Sequence, residues 1–372
     1  MGQLKQLHER FGQSPWLDDL RRDWLEDGTL QSLIDRGVRG VTSNPSTFEK
    51  AVAKSEAYAQ QLKLLVPQSR SERDLYWPLV LTDVRRALDL FLPLHEASGG
   101  QDGFVSLELA PEIAHDAEES IRSAQSFLAQ INLPNLLVKV PATAAGVVAV
   151  RELISRGQSI NVTLLFSLER YDQIIEAYLS GLEANKGDLS SIHSVASFFV
   201  SRVDVEVARR LPHLGARAVL ELDNQLGAAQ AKLAYQHFRE HFSGERWRAL
   251  VKRGAHPQRL LWASTSVKDP HLPPAYYAEQ LIGPETVDTM PIELIEVVDR
   301  LDKLDATLEQ GAPRAQAMFD HASELGLDVA DVSRVLEAEG IAKFEASFQH
   351  TLTALRQQAA RFDPRWSEGR AK

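Results

Sequence analysis

The sequence has 372 residues and not one cysteine, which excludes disulfides, thiolate metal sites and cysteine nucleophiles. It has no apolar stretch long enough to span a bilayer. The N-terminal MGQLKQLHERF carries charges where a secretory signal would carry an apolar core, and Gln6 stands where myristoylation favours Ser or Thr. A cytoplasmic location with no membrane partner is the expectation. There is no basic excess: the formal net charge is -10 and the pI about 5.6, which argues against a nucleic-acid partner. An anionic small-molecule substrate stays open, because a few clustered Arg and Lys can outweigh the global sign. No short repeat, low-complexity tract or Gly/Ser linker divides the chain. What is present is an ordinary globular composition, 44% hydrophobic and 25% charged, with ample apolar material for a large core.

Short apolar runs alternate with long helical patterns, the mark of βαβ units around a parallel sheet. The runs predict strands at 14–18, 39–43, 103–110, 136–142, 160–166, 194–200, 259–264 and 285–290. Helical periodicity is clear in EAYAQQLKLL, DLYWPLVLTDVRRALDLFLPL, AEESIRSAQSFLAQ, GVVAVRELISRG, RYDQIIEAYLSGLE and QLGAAQAKLAYQHFREHF. No GxGxxG opens any helix, so a closed (β/α)8 TIM barrel is expected, with an open doubly wound sheet as the alternative. The reading is of a single domain over residues 1–372. Helical insertions are expected at about 49–94 and 209–257, and C-terminal helices at about 312–372, over the barrel mouth or its side.

In NLLVKVPAT (135–143) Lys139 interrupts an otherwise apolar strand. Removing an ammonium from water costs several kcal/mol unless it is paired. One reading is an edge-strand lysine that discourages aggregation; the other is an amine placed to attack a carbonyl. Polar residues at other strand ends bear on the choice, since barrel chemistry sits at the C-terminal ends of strands. Asp18 and Asp19 end the first strand, Thr42, Ser43 and Asn44 the second, and Ser264 the seventh. Glu108 lies within the third, Asn161 and Thr163 within the fifth, and Ser197 within the sixth, with Arg202 just beyond. Alternation sets Ser106 and Glu108 on one face, and Asn161 and Thr163 on one face opposite Val162 and Leu164. Helices cover a barrel's outer face, so the polar faces point inward. Leu137 shares Lys139's face and is expected deeper. An inward lysine and glutamate with a strand-end aspartate favour a functional site.

His237-Phe238-Arg239-Glu240-His241 matches the HxxEH pattern of inverted zinc peptidases. It lies in a helix rich in Gln, Lys and Arg with no third ligand in view, so a solvated helix and no metal are expected.

With these residues in view, the sequence resembles the transaldolases, and in LLWASTSVKDP and TVDTMP their longer bacterial branch. The resemblance runs from about Trp16 to Pro291 and is carried by VTSNPSTFEKA, SLEL, LLVKVPAT, INVTLLFS and SFFVSRVD in order. It implies a class I aldolase-like barrel with Lys139 as Schiff-base nucleophile. It also implies Glu108 as acid/base through a water held with Thr163, and Asp18 as the base that starts carbon–carbon cleavage. Asn44, Asn161 and Ser197 would hold the dihydroxyacetone moiety, and Arg202 and Ser264 the sugar phosphate. Where the better-known branch has an arginine this chain has Ser266, and Lys268 is the nearest cation for that phosphate contact. Asp18 and Asp19 point to opposite sides if the strand continues.

The implied activity belongs to the pentose phosphate pathway. It moves a dihydroxyacetone unit from sedoheptulose 7-phosphate to glyceraldehyde 3-phosphate, giving erythrose 4-phosphate and fructose 6-phosphate, with no cofactor. The alternatives are an aldolase that releases free dihydroxyacetone and an inactive barrel that only binds. Phe199 aligns with a tyrosine of fructose-6-phosphate aldolases and so favours transfer. A monomer or a homodimer is expected.

Overall fold

Each apolar run that is too short for a helix becomes a strand in the computed structural model, which describes residues 2–43, 48–49, 51–52 and 56–367. The strands are β1 (Gln13–Leu17), β2 (Gly40–Thr42), β3 (Phe104–Glu108), β4 (Leu136–Pro141), β5 (Ile160–Leu165), β6 (Ser194–Phe199), β7 (Arg259–Ala263) and β8 (Thr286–Met290). They pair in parallel and in sequence order, and β8 closes on β1. The closed (β/α)8 barrel, rather than the open sheet, is therefore the fold. All eight expected strands are present, each within two residues of its expected ends.

Helices follow where side chains are available to hold their first turns. Asp116, Thr143 and Ser167 accept the backbone N–H of Glu119, Gly146 and Arg170, capping Ala117–Ile131, Ala144–Ser155 and Leu168–Ala184. The outward strand residues Val105, Leu107, Val138, Val140 and Val162 are buried in one cluster with these helices. Inside the barrel, Trp16, Phe104, Leu137, Val195, Leu261 and Val287 are buried in a second cluster. Leu137 thus lies one layer below Lys139, as its position two residues earlier requires.

The N-terminal end of the barrel is tied by Asp102. Its carboxylate accepts from Ser14 Oγ at 2.8 Å and Arg39 Nε at 2.7 Å, and lies 3.2 Å from Arg259. Burial alone would raise this carboxyl, but the two guanidinium groups outweigh it and hold the carboxyl below its ordinary range.

Two features depart from simple alternation. The β5–β6 register shifts between Val162 and Leu165, and Leu164 takes a left-handed φ of 59°. This bulge corrects the expected facing of Leu164. Instead of joining Val162 on the outer side, it packs in the cluster that holds Phe166 and Phe199. A left-handed non-glycine residue costs about 1–2 kcal/mol, so surrounding packing must enforce it. The second feature is the helix Val329–Ala360, capped by Asp328. Ser333 Oγ donates to Phe166 O, and Gln349 Nε2 to Glu112 beyond β3, so the helix crosses the C-terminal mouth of the barrel. Among the described residues, no helix is long and apolar enough to cross a membrane.

Candidate active site

The parallel register places Glu108 directly beside Lys139, and Lys139 beside Asn161. Lys139 Nζ lies 2.7 Å from Glu108 Oε2 and donates to Ser43 O at 3.2 Å. Both side chains are 6% exposed. Burial pushes the Glu108 carboxyl up; the Lys139 ammonium opposes that shift, Asp18 adds to it, and Arg202 opposes it. Desolvating two such charges costs several kcal/mol per ion, so a buried pair of this kind adds little net stability. Its position in the mouth of a barrel points to chemistry instead.

Below and around this pair the strand ends form a hydrogen-bonded floor. Ser197 Oγ donates to Asn161 Oδ1 at 2.7 Å, and Asn161 Nδ2 donates to Ser106 Oγ at 3.0 Å. Thr163 is fully buried, and its Oγ1 has no hydrogen-bond partner among the described residues. Such an orphaned hydroxyl is uncommon and is a ready contact for a ligand or water.

The adjacent aspartates separate. Asp18 Oδ1 accepts from Thr42 Oγ1 at 2.9 Å, and its charge acts on both Glu108 and Arg202. Thr42 and Thr289 hydroxyls lie 2.7 Å apart and hold this corner. Asp19 instead pairs with Arg21 at 2.6 Å. Burial raises the Asp19 carboxyl, while Arg21 pulls it back. Of the two, Asp18 is the one that shares the cavity with the Lys139–Glu108 pair.

Arg202 follows β6, and its Cζ stands 4.9 Å over the Phe199 ring, which packs on Phe166 at 5.1 Å. Burial lowers the Arg202 pKa from its ordinary value, with Asp18, Glu108 and Glu339 opposing. Gly340 of the mouth-crossing helix comes close here. A Cβ at that position would stand 3.1 Å from Leu164 Cδ2 and 3.7 Å from Arg202 Nη1. Ser264 adopts a φ of 58°, and its Oγ is 3.0 Å from Ser201 Oγ. Lys268 is exposed on the segment beyond β7, and Ser266 is half-buried. Asn44 lies outside the described residues.

The HxxEH histidines face Asp172. His237 Nδ1 is 2.7 Å and His241 Nε2 3.6 Å from Asp172 Oδ1. Among the described residues, no group of three His, Asp or Glu side chains could hold a metal ion. Sequence reasoning did not single out Thr289 or Gly340. Alternation from Val287 could have flagged Thr289, whereas nothing in the sequence marks Gly340 as a neighbour of Arg202.

An amine and a carboxyl in contact, a second carboxylate across the cavity and a guanidinium at the rim define an enzyme of the (β/α)8 class with acid–base and carbonyl chemistry within reach. The family model for transaldolase/fructose-6-phosphate aldolase matches residues 15–355. The chain is 44% identical over 351 residues to the transaldolase of Mycobacterium tuberculosis, covering 93% of this chain and 94% of that protein. It is 45% identical over 352 residues to the transaldolase of Mycolicibacterium smegmatis, covering 93% and 95%. It is 42% identical over 371 residues to transaldolase 2 of Streptomyces avermitilis, covering 98% and 99%. The chain belongs to the transaldolase family. It is a transferase of sugar-phosphate metabolism.

Proposed function

We propose that this enzyme transfers a dihydroxyacetone unit from sedoheptulose 7-phosphate to glyceraldehyde 3-phosphate through a Schiff base on Lys139. The observation that carries the reading is the 2.7 Å contact between Lys139 Nζ and Glu108 Oε2 at the mouth of the barrel. Attack on the ketose C2 carbonyl requires the free amine, and Glu108 is positioned to take the ammonium proton. Glu108, with a water held by the Thr163 hydroxyl, then supplies the protons that turn the carbinolamine into an iminium. The iminium withdraws electrons from the C3–C4 bond. Asp18 removes the C4 hydroxyl proton, the bond breaks, and erythrose 4-phosphate departs. The enamine left on Lys139 adds to the aldehyde of the acceptor, and hydrolysis of the new iminium releases fructose 6-phosphate.

Asn161 and Ser197, with Asn44, hold the hydroxyls of the three-carbon unit. Arg202 and Ser264 take the phosphate, and Lys268 joins them as a point charge. No metal or organic cofactor enters the scheme. The enzyme works in the cytoplasm as a monomer or homodimer on this reading. Borohydride trapping with fructose 6-phosphate, followed by peptide mass mapping, tests it: the adduct is expected on Lys139. An adduct elsewhere, or none, would overturn the mechanism.

The second reading, an aldolase that releases dihydroxyacetone, shares every step up to the enamine. Phe199 favours transfer, because an apolar ring gives no hydroxyl to hold the water that would hydrolyse the enamine.

A further inference from the structure

Arg202 and Ser264 sit on different segments, the helix Ser201–Leu214 and the stretch that follows β7. For both to act on one phosphate, the two segments must be held in register to a fraction of an ångström. On the cavity side, Ser201 N donates to Ser264 O at 3.0 Å beside the hydroxyl contact already described. A larger junction lies behind it. Asp204, two residues after Arg202, is 1% exposed. Its Oδ1 accepts from the backbone N–H of both Leu226 and Gly227 at 2.9 Å, at the start of the helix Leu226–His241. Its Oδ2 accepts from the Tyr277 hydroxyl at 2.9 Å. Tyr277 is 2% exposed and closes the segment that begins at Ser264.

The fit leaves no slack. A Cβ on Gly227 would stand 2.8 Å from Asp204 Oδ2 and 2.7 Å from Val200 O. Two further bonds latch the same segment onto the same helix start. The Tyr276 hydroxyl donates to Asn224 O at 3.0 Å, and Asn224 Nδ2 donates to Asp269 Oδ2 at 2.9 Å. One buried carboxylate therefore joins the Arg202 helix, the helical insertion that follows it and the post-β7 segment. Charge-assisted bonds of this kind are about twice as strong as neutral ones, and a partner left unpaired in the interior costs about 1–3 kcal/mol.

We propose that Asp204 and Tyr277 are positioning residues that lock Arg202 and Ser264 into a single phosphate subsite, with the insertion before β7 as their anchor. The inference rests on the transfer reading above for the identity of the phosphate ligand. Neither residue touches the Lys139–Glu108 pair, so the latch governs recognition of the phosphate and leaves the Schiff-base chemistry untouched.

The test compares the wild type with Tyr277→Phe and Asp204→Asn in the full chain. The readouts are steady-state kinetics with fructose 6-phosphate, calorimetric binding of inorganic phosphate, and borohydride trapping by unphosphorylated dihydroxyacetone. For Tyr277→Phe, KM for fructose 6-phosphate and the phosphate Kd are expected to rise together by about fivefold or more, with kcat within about twofold and dihydroxyacetone trapping unchanged. Asp204→Asn is expected to do the same more strongly. If it does not fold, Tyr277→Phe decides alone. Unchanged phosphate binding, or an equal loss of phosphate binding and dihydroxyacetone trapping, would overturn the latch. A wild type that binds phosphate but is never trapped at Lys139 would instead overturn the transfer reading, and the phosphate Kd of the variants would still judge the latch.

Discussion

Glu108 and Lys139 are direct neighbours across the β3–β4 ladder, and their side chains meet 2.7 Å apart inside the barrel with 6% of each exposed. In a pair so placed, the lysine can react only as the free amine, and the carboxylate beside it is within reach to take its proton. Lys139→Ala is expected to abolish borohydride trapping, and Glu108→Gln to retain slow trapping while kcat falls about 10²- to 10⁴-fold. Stopped-flow formation of the Schiff base separates the two. Glu108→Gln at wild-type rates would remove Glu108 from the proton route.

Phe199 packs on Phe166 under the Arg202 guanidinium, and on the proposed mechanism Phe199→Tyr adds a hydroxyl near the enamine. Release of free dihydroxyacetone relative to transferred product is expected to rise. The ratio is read by coupled assay with and without glyceraldehyde 3-phosphate, and an unchanged ratio would count against this position as the selector.

Lys268→Met tests the proposed phosphate contact of the exposed cation beyond β7. If Lys268 contacts the phosphate, KM for fructose 6-phosphate rises several-fold, by about 3- to 10-fold for a single exposed point charge, and the effect shrinks in high salt. An unaltered KM at low salt would remove Lys268 from the subsite.

Asp288 lies on β8, 1% exposed, and accepts from the Thr265 hydroxyl at 2.8 Å. Burial pushes its carboxyl up to about 7, with the Thr265 bond opposing. A carboxyl raised in the fold is most favourable when protonated. Its contribution is full below the unfolded value of about 4 and is lost as pH rises toward 7. Asp288→Asn removes that dependence, so the difference in unfolding free energy between it and the wild type, read from urea curves, is expected to move in favour of the variant from pH 4 to pH 8 by on the order of a few kcal/mol. Parallel curves would show that Asp288 titrates as an ordinary carboxyl.

Gly340→Val would insert a branched side chain where even a Cβ stands 3.1 Å from Leu164 and 3.7 Å from Arg202. Helix propensity favours the change by roughly 0.5 kcal/mol. Overpacking the contact costs about 1–3 kcal/mol and outweighs that gain, so the expected result is a lowered melting temperature together with a raised KM for phosphorylated substrates. A lower KM, or a melting temperature equal to or above that of the wild type, would contradict the close packing of Gly340 against Leu164 and Arg202.

The sequence alone carries the barrel, because strand and helix periodicities are local and each of the eight runs is bounded by its own turn residues. It also carries the inward facing of Glu108, Lys139 and Asn161, since alternation settles the face wherever the strand is regular. Where regularity ends, so does that inference. Leu164 turned inward because a bulge adds a residue to β5. Asp18 lies one residue past the end of β1, where alternation no longer applies, and its bond to Thr42 depends on a strand 24 residues away. The course of Val329–Ala360 across the mouth and the union of Asp204 with Tyr277 are contacts between distant segments. No local pattern encodes them, because they arise only when the closed barrel brings the ends of its strands to one rim.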